Sequence, residues 1–181
     1  MEFLNTDVAG AWLVEPAPHQ DPRGRFMRAW CEREFAAHRI DFVPLQANLA
    51  LSKLKGTLRG LHYQVAPSLE AKLVRCTRGA VFDLVLDLRH DSPTYRRWYG
   101  ARLSADNGRM LYVPDGCAHG CLSLEDDTEI LYMASAYYSP SEARGVRHDD
   151  PAFAISWPLE VASISDQDRN WPLWSPTSPG G

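Results

Sequence analysis

Within the run GTLRGLHYQ, His62 and Gln64 stand two apart on what reads as a strand, so both side chains project from one face. Two histidines at that spacing would make half of a metal site. Here the second position holds an amide, and the pair poses a choice between an impaired metal site and a site built for other chemistry. A second metal candidate lies downstream, where CAHGC puts Cys117, His119 and Cys121 on one face if the segment is extended. Three such ligands could hold zinc. A structural zinc site usually needs a fourth ligand from elsewhere, and no paired-cysteine motif supplies one. Buried free thiols are the favoured reading.

The spacing around these residues resembles the two motifs of the cupin superfamily, a jelly roll of antiparallel strands. Gly56 precedes His62 by five intervening residues, Lys72 precedes Gly79 by six, and PDG (114–116) leads to His119. The metal-ligand positions of that pattern fall on His62, Gln64, Lys72 and His119. Lys72 takes the carboxylate position, and an ammonium has no lone pair and repels a divalent cation. A neutral amide suits imidazole-binding metals poorly. No metal is therefore expected. A fixed cation near a histidine can instead hold an oxyanion, such as an enolate, while the histidine moves a proton. Proton abstraction beside a ketone fits that pair. A lysine reaching solvent and a histidine satisfied in the core fit it as well.

The elements that must carry these residues read mostly as strands. AWLVE, LVRCT, AVFDLVLDL, WYGARLS, RMLYVP and EILYMASAYY are short runs rich in Val, Leu, Tyr and Phe, separated by turn signals such as HDSPTY, SADNGR and VPDG. AVFDLVLDLR alternates imperfectly, as a strand buried on both faces would. One helix is predicted over CEREFAAHRI (31–40), with Phe35, Ala36 and Ile40 as its buried face, serving as a lid or flank. Many short strands at this spacing predict an all-β sandwich or barrel, with short flanking helices. One domain over residues 1–181 is expected, with a loose tail from about 173.

The 181 residues carry a net charge of -4, which offers no broad basic field for nucleic acid. No apolar run approaches a membrane span, and the acidic N-terminus lacks the apolar segment of a signal peptide. A cytoplasmic protein is expected. Four cysteines, Cys31, Cys76, Cys117 and Cys121, fit reduced thiols better than a disulfide framework.

The motifs go further than the superfamily. DPRGRF (21–26), QAN (46–48), GTLRGLHYQ (56–64), AKLVRCTRGAVFDLVLDLR (71–89), DSPTY (91–95), YVPDGCAHG (112–120), LYMASAYYSP (131–140), HDDPAFAISWP (148–158) and ISDQD (164–168) occur in that order. The set resembles the dTDP-4-dehydrorhamnose 3,5-epimerase family, nucleotide-sugar enzymes with the cupin jelly roll, from about residue 10 to 172. The resemblance implies a dTDP-linked 4-keto-6-deoxy sugar as substrate, epimerisation at C3 and C5, and no metal or organic cofactor. It assigns His62 as base, Tyr132 as acid, Asp168 as the carboxylate paired with His62, and Lys72 near the keto oxygen. Arg23 and Arg59 become diphosphate contacts. Phe26 and Tyr138 fall near the nucleotide, Gln46 and Asn48 match polar binding positions, and His119 lies near the sugar. A homodimer is implied, in which the DPRGRF segment reaches the neighbouring site, so that Arg23 and Phe26 act in trans.

The chemistry agrees with these roles. Inversion needs the new proton to arrive on the face opposite the one that lost it, so a base and an acid must stand on opposite walls. Histidine suits the base, and a carboxylate on its far nitrogen fixes the tautomer. Three positions depart from the pattern of the rhamnose-pathway members. Arg28 and Ala143 stand where glutamates are frequent, and His148 where tryptophan is usual. The reading therefore keeps open an enzyme acting at C3 or C5 alone, a ketoisomerase, and a non-catalytic sugar-nucleotide-binding cupin. A metal-dependent oxygenase is a fourth, disfavoured by Gln64 and Lys72.

Overall fold

Period-two alternation of apolar residues gives the chain two sheets that face each other. The structure, a computed structural model, describes residues 1–175. Its elements are β1 (Glu2–Asn5), β2 (Trp12–Glu15), β3 (His19–Asp21), β4 (Gly24–Phe26), α1 (Glu32–Ala37), β5 (Gln46–Ser52), β6 (Thr57–Gln64), β7 (Lys72–Arg78), β8 (Ala80–Asp87), β9 (Trp98–Ser104), β10 (Met110–Val113), β11 (Cys117–Ser123), β12 (Thr128–Ala134), β13 (Ala143–Gly145), β14 (Ser163–Ile164) and α2 (Asp166–Arg169). One sheet runs β1-β2-β10-β7-β12-β5, the other β13-β6-β11-β8-β9, with β14 added parallel to β6. β3 and β4 form a separate hairpin. This is the all-β jelly roll that the sequence predicts, with two short helices.

Three buried clusters hold the layers together. Val74, Cys76, Val85, Leu103, Leu111 and Ile130 are among those that close the space between the sheets. Phe35, Ile40 and Phe42 cover the outer face of the first sheet over Leu73, Met110 and Tyr112. Val146 and Phe153 cover Leu61, Leu84 and Leu86 on the second. β8 is buried along nearly its whole length, as its imperfect alternation predicts.

Two details correct the sequence reading. The predicted helix over 31–40 is only Glu32–Ala37, because Arg39 adopts a left-handed φ of 59° and the Ile40 amide turns back to the Phe35 carbonyl. Phe35 and Ile40 are buried as expected, but Ala36 is exposed. The strand in EILYMASAYY ends at Ala134. Within the predicted tail, the Trp174 amide donates to Asp150 at 2.5 Å and its ring packs on Phe153. Residues 176–181 of that tail lie outside the described residues. No described helix is long and apolar enough to cross a membrane.

Candidate active site

Strict alternation along β6 would send Arg59 and His62 to opposite faces, since they stand three positions apart. The strand does not alternate strictly. β11 matches His119 to His62 but Cys121 to Arg59, so β6 carries one extra residue over that interval. Gly60 makes the bulge feasible: its φ is +118°, and a Cβ there would lie 2.6 Å from Gly120 Cα. The bulge returns both side chains to the same cleft.

His62 is paired with a residue 106 positions away. Its Nε2 lies 2.6 Å from Asp168 Oδ1. Asp168 sits on α2, whose first turn is capped by Ser165 accepting from the Asp168 amide at 3.0 Å. The second carboxylate oxygen accepts from the Gly60 amide at 3.2 Å. Burial acts to raise the Asp168 pKa, but the hydrogen bond from His62, its charge and the Gly60 amide prevail and hold it below the usual carboxylate value. An ionised Asp168 fixes the imidazole proton on Nε2. That leaves Nδ1 with a free lone pair, and the histidine side chain is 47% exposed to the cleft while Asp168 is 7% exposed.

The opposite wall comes from the other sheet. Tyr132 on β12 pairs directly with Asn48 on β5 and with Val74 on β7, and Lys72 is the next inward residue of β7. Burial raises the Tyr132 hydroxyl above the ordinary phenol value, with the Glu70 charge adding to the effect and Arg59 opposing it. Tyr132 is thus a protonated group at neutral pH. Lys72 Nζ pairs with Glu70 Oε2 at 3.2 Å and approaches the His62 carbonyl at 3.4 Å.

Between these walls lie two adjoining cavities. One of about 490 Å³ is bordered by Arg59, His62, Lys72, His119, Tyr132 and Asp168. Its neighbour of about 360 Å³ shares His62, Lys72 and Tyr132 and adds Gln46, Asn48 and Tyr138. His119 Nε2 lies 2.8 Å from the fully buried Asp83, a second histidine–carboxylate pair in the same cleft. Cys117 and Cys121 are buried free thiols, and burial pushes both well up, away from thiolate.

Residues 5–175 match the family described as dTDP-4-dehydrorhamnose 3,5-epimerase. The chain belongs to this family. The dTDP-4-dehydrorhamnose 3,5-epimerase of Sinorhizobium fredii is 43% identical over 173 residues, which cover 95% of this chain and 89% of that one. The crystal structure of the Bacillus anthracis epimerase with TDP and PPi bound has a TM-score of 0.92 at 38% identity, covering 96% of this chain and 99% of that one. ChmJ, a 3'-monoepimerase of Streptomyces bikiniensis solved with dTDP-quinovose, has a TM-score of 0.85 at 37% identity, covering 93% and 85%.

Within this epimerase-family chain, the cleft gathers nine of the eleven residues singled out from sequence: His62, Tyr132, Asp168, Lys72, Gln46, Asn48, Arg59, His119 and Tyr138. Arg23 and Phe26 border neither cavity. They stand on the β3–β4 hairpin, where Phe26 is 75% exposed and Arg23 pairs with Asp21 at 2.6 Å. Gln64 gains a role that its position alone did not reveal. Its Nε2 donates to the Ser68 and Tyr137 carbonyls, and its Oε1 accepts from the Ser139 amide at 2.6 Å. It ties together the two loops beside the cleft, including the one that carries Tyr138. Of the three departures from the family pattern, only Ala143 lines the cleft. Arg28 pairs with Glu34 at 2.6 Å on the surface, and His148 is half-buried, its Nδ1 without a hydrogen bond and 3.9 Å from Asp149 Oδ1. Sequence reasoning missed Glu70, Asp83, Arg144 and Trp171. Glu70 could have been found, since an extended entry to β7 places it on the same side as Lys72.

Proposed function

We propose that this protein epimerises dTDP-4-dehydro-6-deoxy-D-glucose at C3 and C5 to dTDP-4-dehydro-L-rhamnose, without a cofactor. One observation carries the reading: a histidine on one sheet, paired with a carboxylate from α2, faces a lysine and a half-buried, protonated tyrosine on the other. His62 Nδ1 takes the proton from the carbon beside the ketone. The electrons of that C–H bond move into an enolate whose oxygen is held by the Lys72 ammonium. Asp168 stabilises the imidazolium that forms. Tyr132 then delivers its phenolic proton to the opposite face of the same carbon, which inverts it. The protons return between His62 and Tyr132 by exchange with solvent, so each cycle is neutral in atoms and charge. The cavity with Gln46, Asn48 and Tyr138 receives the nucleotide, and Arg59 with His119 borders the diphosphate and sugar.

The isolated chain leaves Arg23 and Phe26 exposed and away from the cleft. An exposed apolar stripe, Leu49 and Leu51, runs along β5 at the open edge of the first sheet. Both features support a homodimer in which the hairpin of one copy completes the diphosphate and nucleotide contacts of the other.

Heavy water tests the reaction. With dTDP-4-keto-6-deoxyglucose as substrate, deuterium is expected at both C3 and C5 of the product. Label at C3 alone would mean the narrower activity of a 3'-monoepimerase such as ChmJ, and label at C5 alone a C5-only epimerase. No label above the uncatalysed background rejects epimerase action on this sugar.

A further inference from the structure

The chain holds six tryptophans. Five pack against a buried cluster: Trp12 and Trp30 beside α1, and Trp98, Trp157 and Trp174 on the outer face of the second sheet. Trp171 packs against none of the three. It borders the cavity that contains Gln46, Asn48 and Tyr138. An indole left out of the core, and placed at a cavity wall, offers a large flat apolar face to whatever enters.

Its position is fixed from two sides. Gly145 on β13 lies opposite His62 in the strand register, and a Cβ there would fall 2.2 Å from Trp171 Cε2. The ring therefore lies on bare backbone beside the strand that carries His62. Its Nε1 donates to Asp168 Oδ1 at 3.4 Å, the oxygen that also accepts from His62. Two residues before Gly145, Ala143 presents only a methyl group to the same cavity. Arg144, between the two, also borders this cavity, so the indole and the methyl group form the apolar part of a wall that polar and charged side chains complete.

We propose that Trp171 is a ligand-binding residue, its indole forming an aromatic wall for the nucleotide base, with Gly145 kept bare so that the ring can lie there. This rests on the nucleotide-sugar reading above and adds a contact that the motifs do not assign.

Thymidine diphosphate is the probe, with binding followed by tryptophan fluorescence and, independently, by calorimetry. The wild type is expected to bind with a fluorescence change. Trp171→Phe should lose most of that change yet hold the nucleotide within a few-fold, since a phenyl ring still offers a face. Trp171→Ala should weaken binding about tenfold, in line with the loss of one base–aromatic stack. Its KM should rise by a similar factor, with a smaller fall in kcat. Unchanged affinity in Trp171→Ala, or a loss confined to kcat, overturns the assignment. Should that variant fail to fold, an undiminished fluorescence change in Trp171→Phe overturns it instead. A wild type that does not bind thymidine diphosphate rejects the nucleotide-sugar reading and this contact together. A wild type that binds while both variants behave like it rejects this contact alone.

Discussion

Two buried aspartates in this protein sit in charged motifs of similar appearance and do different things. Asp87, in DLRHDSPTY, accepts from the Arg89 amide and guanidinium, from Ser92 and from Thr94, all within seven residues of itself. Asp168, in ISDQD, accepts from His62 and Gly60, more than a hundred residues away. The Asp87 cluster is closed: its donors are spent on the carboxylate and on backbone, and Arg89 reaches on to the Ala9 carbonyl. The Asp168 cluster is open, since His62 keeps Nδ1 free toward a cavity. Saturation at the first site fixes a turn, while the unspent lone pair at the second is what can take a proton.

The largest effect expected from breaking this comparison is at the open site. Asp168→Asn removes the charge that orients and supports His62, and kcat should fall by about 10²–10⁴-fold with little change in melting temperature. A variant that keeps its turnover would show that the pair is structural, like Asp87. Tyr132→Phe should come next. Deuterium wash-in at the substrate carbons should outlast product formation, because His62 still exchanges the proton while the opposite face lacks a donor. Equal loss of exchange and inversion would remove Tyr132 from its role as acid.

The closed site should give the smallest effect on turnover and its own signature in stability. Burial acts to raise the Asp87 pKa, yet the donors from Arg89, Ser92 and Thr94 bring it down to about 2 from 3.8. A depressed carboxylate contributes stability that is present above the unfolded value and is lost as pH falls through the folded one. The window therefore runs from about pH 4 down to about pH 2, and the full contribution is on the order of 2 kcal/mol. Asp87→Asn should lose that much at neutral pH and flatten the acid limb of a denaturation series, while kcat near pH 7 changes little. An unaltered acid limb would mean that the cluster does not fix the turn.

Much of the fold was legible because alternating strands and turn residues are local signals. β8 and β9 were read from their own residues, and His62, Lys72, Tyr132 and Asp168 from motifs in a fixed order. Most of the misses share a cause. Helix α1 stops short because one residue adopts a left-handed φ, which nothing in Arg39 itself announces. Asp83 matters through a histidine that the neighbouring strand brings to it, and Trp171 through a glycine on a strand that composition does not reveal, whereas Glu70 lies only two residues from its partner Lys72.

By itself the sequence determined which chemical groups are present, the faces of most strands, and the family to which the chain belongs. Only the tertiary structure decided which groups meet. The bulge at Gly60 turns Arg59 and His62 into one cleft, sheet order sets Tyr132 and Lys72 across from them, and α2 brings Asp168 back over more than a hundred residues. Side-chain periodicity is a property of one strand, whereas register and sheet order arise from pairing between strands distant in sequence.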